Sequence, residues 1–253
     1  MTQVLLKTRG LICGYQHHDP LFRPLDLELK TGEITAILGG NGRGKTTLMR
    51  TLTGQLRALS GTVQCSAHIG FVPQRFQASY AYRVLDIVLM GRANRLRMFS
   101  VPGAKDEQIA YRALRQLSIE HLALCAFDQL SGGQQQLVLI ARALSSECQI
   151  MILDELATAL DLAHQSIVLT LLKQLADRQH LSILFSTHEP AHAKLIAHHS
   201  LLLLAQRQHL YGPSAQVLTE DVLSNLYGVP IQRGTYDYGG QCYSTFIPWL
   251  VEP

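Results

Sequence analysis

Two hydrophobic periods alternate along this chain. Leu25, Leu27 and Leu29 alternate with Asp26, Glu28 and Lys30, the period-two pattern of a half-exposed strand. The continuous apolar run Ile150–Leu153 predicts a strand buried on both faces, Ile34–Leu38 and 68–72 read as buried strands, and 181–186 and 201–204 as further strands. Between them the period lengthens. Ile109, Ala110, Ala113, Leu114 and Leu117 form one helical stripe, and Leu137, Ile140, Ala141 and Leu144 form another. A further helix is predicted over 162–176, and a short one over 84–92 that Gly91 closes. Residues 3–38 read as β-rich, a strand starts at Gly61, and 95–103 reads as a polar loop. The stretch from Val84 to about Leu130 reads as a helical insertion within an α/β core. No repeat or low-complexity segment interrupts this order.

The run at Ile34–Leu38 leads directly into Gly39-Gly40-Asn41-Gly42-Arg43-Gly44-Lys45-Thr46-Thr47, and a helix is predicted after it. This is G-x-x-x-x-G-K-T, a phosphate-binding loop in the strand–loop–helix context it requires. Glycines let successive N–H groups turn inward on phosphate oxygens, and the helix N-terminus adds partial positive charge. Lys45 is suited to the β/γ-phosphates and the Thr46 hydroxyl to Mg²⁺.

Other candidates sit at ends of elements. Gln74 follows the strand at 68–72, where ligand groups collect in parallel sheets; a loop glutamine facing solvent is the plainer reading. Leu130-Ser131-Gly132-Gly133-Gln134 opens a helix, as a second anion-binding terminus or as an ordinary N-cap. Asp154-Glu155 ends the apolar run at 150–153. Two carboxylates there need compensation, which Mg²⁺ at Asp154 supplies, leaving Glu155 to polarise a water; a helix-capping acidic pair is the alternative. Tyr15 is placed to stack on an adenine or simply to pack. His188-Glu189-Pro190-Ala191-His192 matches the zinc-protease pattern H-E-x-x-H, but Pro190 lies inside it and His188 belongs to a strand end. His188 reads instead as a polar group facing a terminal phosphate.

Composition narrows the setting. The 253 residues are 47% hydrophobic, enough for one large domain or for a core plus a subdomain. A net charge of +3 with no basic run gives no argument for nucleic acid. The five cysteines are scattered and lack metal-ligand spacing, so they are expected to be reduced and mostly buried. No apolar run approaches the roughly 20 residues that span a bilayer, and the first residues lack a signal-peptide pattern. The expectation is a soluble intracellular chain whose membrane role comes through a partner.

The phosphate loop, Gln74, Leu130–Gln134, 150–155, Asp161 and His188, in that order, resemble the ATP-binding subunit of an ABC transporter. The resemblance covers the chain to about residue 230. It implies an α/β fold: a P-loop NTPase (RecA-like) core with an N-terminal antiparallel β subdomain, a helical subdomain at about 76–145, and a tail at 231–253. It also implies a head-to-tail dimer of two copies around two ATP and Mg²⁺. One chain would contribute Tyr15 to the adenine and Gly39, Asn41, Gly42, Gly44, Lys45, Thr46 and Thr47 to the phosphates. The other would contribute Ser131, Gly133 and Gln134, with Asp161 along the seam. Glu155 is implied as general base, His188 as the group holding the γ-phosphate and attacking water, and Thr46, Gln74 and Asp154 as metal-side residues.

Residues 84–92, 217–220 and 226–229 resemble segments of metal-chelate importers (iron–siderophore, haem, cobalamin and molybdate-type). The expected setting is the cytoplasmic face of the inner membrane, on a polytopic permease fed by a periplasmic or extracellular binding protein. A non-transport ABC ATPase acting on nucleic acid or ribosomes is the alternative. It would carry long coiled-coil insertions or two ATPase halves, and neither is present. The chain departs from the family pattern at Leu156-Ala157, where Pro-Thr is usual, and at Leu137, where many members carry arginine.

Overall fold

The computed structural model describes residues 3–15, 20–74, 76, 80–95, 100–155 and 160–249. The chain opens with β1 (Val4–Ile12), β2 (Glu28–Lys30), β3 (Ile34–Leu38), α1 (Lys45–Leu52) and β4 (Ser60–Cys65). It continues through β5 (Ile69–Val72), α2 (Val84–Leu89), α3 (Ala104–Gln116), α4 (Gly132–Ser145), β6 (Ile150–Leu153) and α5 (Leu162–Gln179). Then come β7 (Ser182–Thr187), α6 (Pro190–Ile196), β8 (His199–Leu203), β9 (His209–Pro213), α7 (Ser214–Val217) and α8 (Glu220–Tyr227). A hairpin of β10 (Ile231–Tyr238) and β11 (Gln241–Pro248) closes the described chain. Two compact units result: residues 1–66 with 183–253, and residues 67–182.

In the first unit, β1 is the centre of an antiparallel sheet ordered β2-β1-β4. Leu6 faces Leu29 across β2, and Leu11 bridges Leu25. Leu25, Leu27 and Leu29 are all buried, so the alternation in sequence does mark one buried face, although the strand itself has only three residues. β3 is buried at all five positions because it lies between two parallel neighbours, β7 and β8. Antiparallel β9 follows on the outer side of β8. Helix α6 packs against β3 and against β11, while α8 packs against β10. The segment expected as a tail is therefore a paired hairpin resting on two helices.

In the second unit, β5 and β6 pair in parallel, with Val72 opposite Leu153. Helix α4 is the hub: α2 and α3 pack on it, and so does β5. The α3 stripe falls where the periodicity put it, with Ile109, Ala110, Ala113 and Leu114 buried. On α4 burial is broader than a stripe, running from Leu137 through Ala141, and Leu144 is only half-buried. Leu137 is thus a core residue. Gly91 does not close α2 as expected. Met90–Arg95 continues as a 3-10 turn, and a Cβ on Gly91 would lie 2.1 Å from the Arg142 carbonyl oxygen of α4. The glycine is there for close packing. Beside it, buried Arg92 donates from Nε to Asp106 (2.9 Å) and from Nη1 to the Ser145 carbonyl (2.7 Å) and Glu147 (2.9 Å). This fork ties the turn to α3 and α4.

The cysteines correct another expectation. All five are free, but only Cys13 is buried and Cys148 half-buried; Cys65, Cys125 and Cys242 are exposed, on an edge strand, a turn and the hairpin. Among the described residues no helix is long and apolar enough to cross a membrane.

Candidate functional site

The phosphate loop is the turn from β3 to α1. Gly42 and Gly44 have φ of +74° and +95°, backbone that L side chains rarely adopt. A Cβ at Gly44 would also lie 2.9 Å from Leu21 Cδ1. Helix α1 has no side-chain cap at Gly44 and no acidic residue in its first turn. No carboxylate of its own first turn offsets its N-terminal positive end, which suits it to phosphate. Lys45 is buried, and its ammonium is held by the carbonyls of Gly39 (2.8 Å) and Gly40 (3.2 Å). Burying an ammonium is costly without such acceptors. Thr46 is half-buried and Thr47 buried, while Asn41 and Tyr15 are exposed. An exposed Tyr15 ring is available to a flat ligand, though its following residues, 16–19, lie outside the described ones.

His188 lies in the same unit. Its Nε2 is 3.4 Å from Lys45 Nζ, the approach expected of an imidazole acceptor beside an ammonium. The carbonyl of His188 accepts the Tyr227 hydroxyl at 2.9 Å, which fixes the backbone from α8. Burial, then the charge of Glu189, push the Tyr227 phenol well above its ordinary range, so it remains a donor. The H-E-x-x-H pattern resolves as the sequence suggested. His188 precedes α6, and Pro190 is the first residue of that helix. His192 is buried with Nδ1 3.1 Å from Thr187 Oγ1.

The second unit holds the other candidates. Parallel pairing of β5 and β6 puts their C-terminal ends side by side, where ligands bind in such sheets. Gln74 follows one end and Asp154-Glu155 the other. The Gln74 amide donates to Glu155 Oε2 at 2.5 Å. Asp154 is 2% exposed, with its N–H on the Val72 carbonyl at 2.9 Å. Its carboxylate is a hard oxygen donor of the type that Mg²⁺ takes. Glu155 has φ of +54°, left-handed backbone unusual for a residue other than glycine. Leu156 and Ala157 lie outside the described residues.

Ser131 is the N-cap of α4. Its hydroxyl accepts the Gln134 N–H at 3.3 Å, and Gln134 Oε1 accepts the Ser131 N–H at 3.1 Å, a reciprocal capping box. Both residues sit at the N-terminus of a 14-residue helix, and of the two sequence readings the capping one is what the hydrogen bonds show. Asp161 caps α5 by accepting the His164 N–H at 2.8 Å, and the His164 Nδ1 stands at the same distance. Those two bonds, backbone first, hold the Asp161 carboxyl below its ordinary value. His164 also backs the glycine pair: a Cβ on Gly133 would fall 2.2 Å from its Cδ2.

His164 and Tyr227 were not singled out in the sequence. Asp161 at a helix start is an N-cap signal, but it marks the backbone N–H three residues on and not the imidazole of His164. Nothing local to Tyr227 indicates that it reaches His188.

The chain is similar to known proteins over nearly its whole length. The ABC transporter family model matches residues 22–158. The chain is 44% identical to the molybdate import ATP-binding protein MolC of Haemophilus influenzae, over 96% of each. It is 33% identical to an iron chelatin transport ATP-binding protein of Helicobacter pylori, over 84% of this chain and 89% of that one. A metal-chelate type ABC transporter solved in an inward-facing conformation superposes with a TM-score of 0.94 at 41% identity, covering 98% of both chains. A bacterial ABC transporter cassette solved as a dimer gives 0.69 at 25% identity, over 78% of this chain and 94% of that one. The chain belongs to the ABC transporter family, among its ATP-hydrolysing nucleotide-binding subunits.

Proposed function

We propose that this chain powers an importer for a metal chelate or oxyanion, with molybdate-like or iron-chelate cargo, through a polytopic membrane permease. The observation that carries the cargo class is end-to-end similarity, at 44% identity, to a molybdate import ATP-binding protein. The 33% identity to an iron chelatin transport protein points to the same group. Two copies close head to tail around two ATP. In one copy Tyr15 meets the adenine, and Gly39, Asn41, Gly42, Gly44, Lys45, Thr46 and Thr47 hold the phosphates. Ser131, Gly133 and Gln134 of the other copy complete each site, with Asp161 along the seam.

Thr46 and Asp154 would hold Mg²⁺, with Gln74 beside it, and the ion would neutralise charge on the phosphate oxygens. Glu155 takes the proton of the attacking water, and His188 orients that water at the γ-phosphate. Splitting the cradle between copies makes hydrolysis conditional on closure, and closure is what a permease can use. The chain works on the cytoplasmic face of the inner membrane, and a periplasmic or extracellular binding protein delivers the cargo.

The test is ATPase activity of the chain reconstituted with its permease, against binding proteins loaded with molybdate, tungstate or ferric siderophore. Stimulation by one of these cargo classes is expected. Purification with ribosomes or DNA, and never with a permease, would sink the importer reading.

A further inference from the structure

The first unit contains a cavity of about 380 Å³, walled by α6, the β9–α7 junction and the C-terminal hairpin. Its chemistry is one-sided. Lys194 from α6 and Arg233 from β10 both approach the ring of Phe246, with Nζ 4.8 Å and Cζ 5.7 Å from its centroid. Lys194 also donates to the Ser244 hydroxyl, which leaves that oxygen's own hydrogen to be donated elsewhere. His198 lines the same cavity, and its Nδ1 accepts the Ile34 N–H at 3.0 Å. In the neutral ring the proton is therefore on Nε2, a further donor.

Among the described residues no carboxylate forms an ion pair with Lys194 or Arg233. Glu220 is engaged by the backbone N–H of Arg233 at 2.5 Å. Burial, then the nearby charge of Arg233, depress the Lys194 ammonium, so the two cations oppose each other. Stacking on Phe246 offsets part of that cost. A doubly charged anion would offset far more, since a planar guanidinium takes two oxygens at once and the ammonium a third.

We propose that this cavity binds a dianionic tetrahedral oxyanion, through Lys194, Arg233, His198 Nε2 and the Ser244 hydroxyl. The same chemistry serves a free oxyanion or the phosphate of a lipid headgroup. The site shares no residue with the nucleotide machinery, and it does not depend on the transport reading.

The test is equilibrium dialysis of the full chain, in a Lys45→Ala background that weakens the phosphate loop as a competitor, with radiolabelled phosphate and molybdate as probes. A parallel arm measures co-sedimentation with phosphatidylcholine vesicles with and without phosphatidic acid. One saturable site per chain is expected, with Lys194→Gln and Arg233→Gln each weakening it by about tenfold or more. Lys194→Arg, which keeps the charge, should retain most of the binding and serves if a neutral variant folds poorly. Saturation by the free anions points to a soluble ligand. Binding only to phosphatidic acid vesicles, lost in the same variants, points to the membrane. Binding that the neutral variants leave unchanged, or no binding in either arm, would overturn the proposal.

Discussion

The side-chain amide of Gln74 donates to the carboxylate of Glu155, 81 residues further along the chain. Adjacent parallel strands bring the two together at their shared C-terminal edge, so the contact follows from the register of β5 on β6. Glu155→Gln keeps an oxygen that can still accept from Gln74 but removes the charge that accepts a proton. ATP should bind normally, turnover should fall by about a hundredfold or more, and size-exclusion chromatography with ATP should show a persistent dimer. Phosphate release at the wild-type rate would remove Glu155 as the base.

The hydroxyl of Tyr227 holds the carbonyl of His188, so the last helix reaches the phosphate side of the first unit. Tyr227→Phe deletes one hydrogen bond while keeping the ring. Turnover should drop by about three- to tenfold with ATP affinity retained, as read from steady-state kinetics and nucleotide titration.

Gly133 and His164 touch so closely that no Cβ fits between them. Gly133→Ala should displace either the imidazole or the start of α4, lowering ATPase activity by about tenfold. His164→Ala in that background should recover part of the loss. A double-mutant cycle measures the coupling, and simple additivity would show that the two residues act separately.

Arg92 holds both Asp106 and Glu147 below their ordinary values of 3.8 and 4.5, in each case chiefly by its hydrogen bond. The sign follows from linkage. Groups with lowered values in the fold stabilise it fully above those ordinary values, and that stability is lost as pH falls through the lowered ones. Arg92→Leu should therefore be less stable than wild type near neutrality, and the gap should narrow as pH falls below those ordinary values and through the lowered ones. Urea unfolding at a series of pH values reads this directly.

Much of this was legible in sequence because it depends on local pattern. The loop at 39–47 and the buried run at 150–153 carry their conformation in their own residues. What escaped was set by distant contact. Gly91 resembles a helix stop, yet its reason lies on α4, in the carbonyl of Arg142. The hairpin at 231–248 was unreadable for a different cause: β11 is exposed or half-buried at every position, so no buried face imposes a strict alternation. The exposed cysteines follow the same logic, since Cys65 and Cys242 sit on strands whose outer faces meet solvent. His188 and Lys45 were each assigned a phosphate role in sequence, but the 3.4 Å that separates them is a product of β7 lying beside β3.

The left-handed backbone at Glu155 carries one more implication. A side chain there costs of the order of 1 kcal/mol relative to glycine, and the residue that bears this cost also accepts the bond from Gln74. Glu155→Gly relieves the backbone but gives up that charge-assisted bond, whose worth is of the same order or larger, so it should melt no higher than the wild-type chain. The strain at this residue is held in place by the contact its own side chain makes.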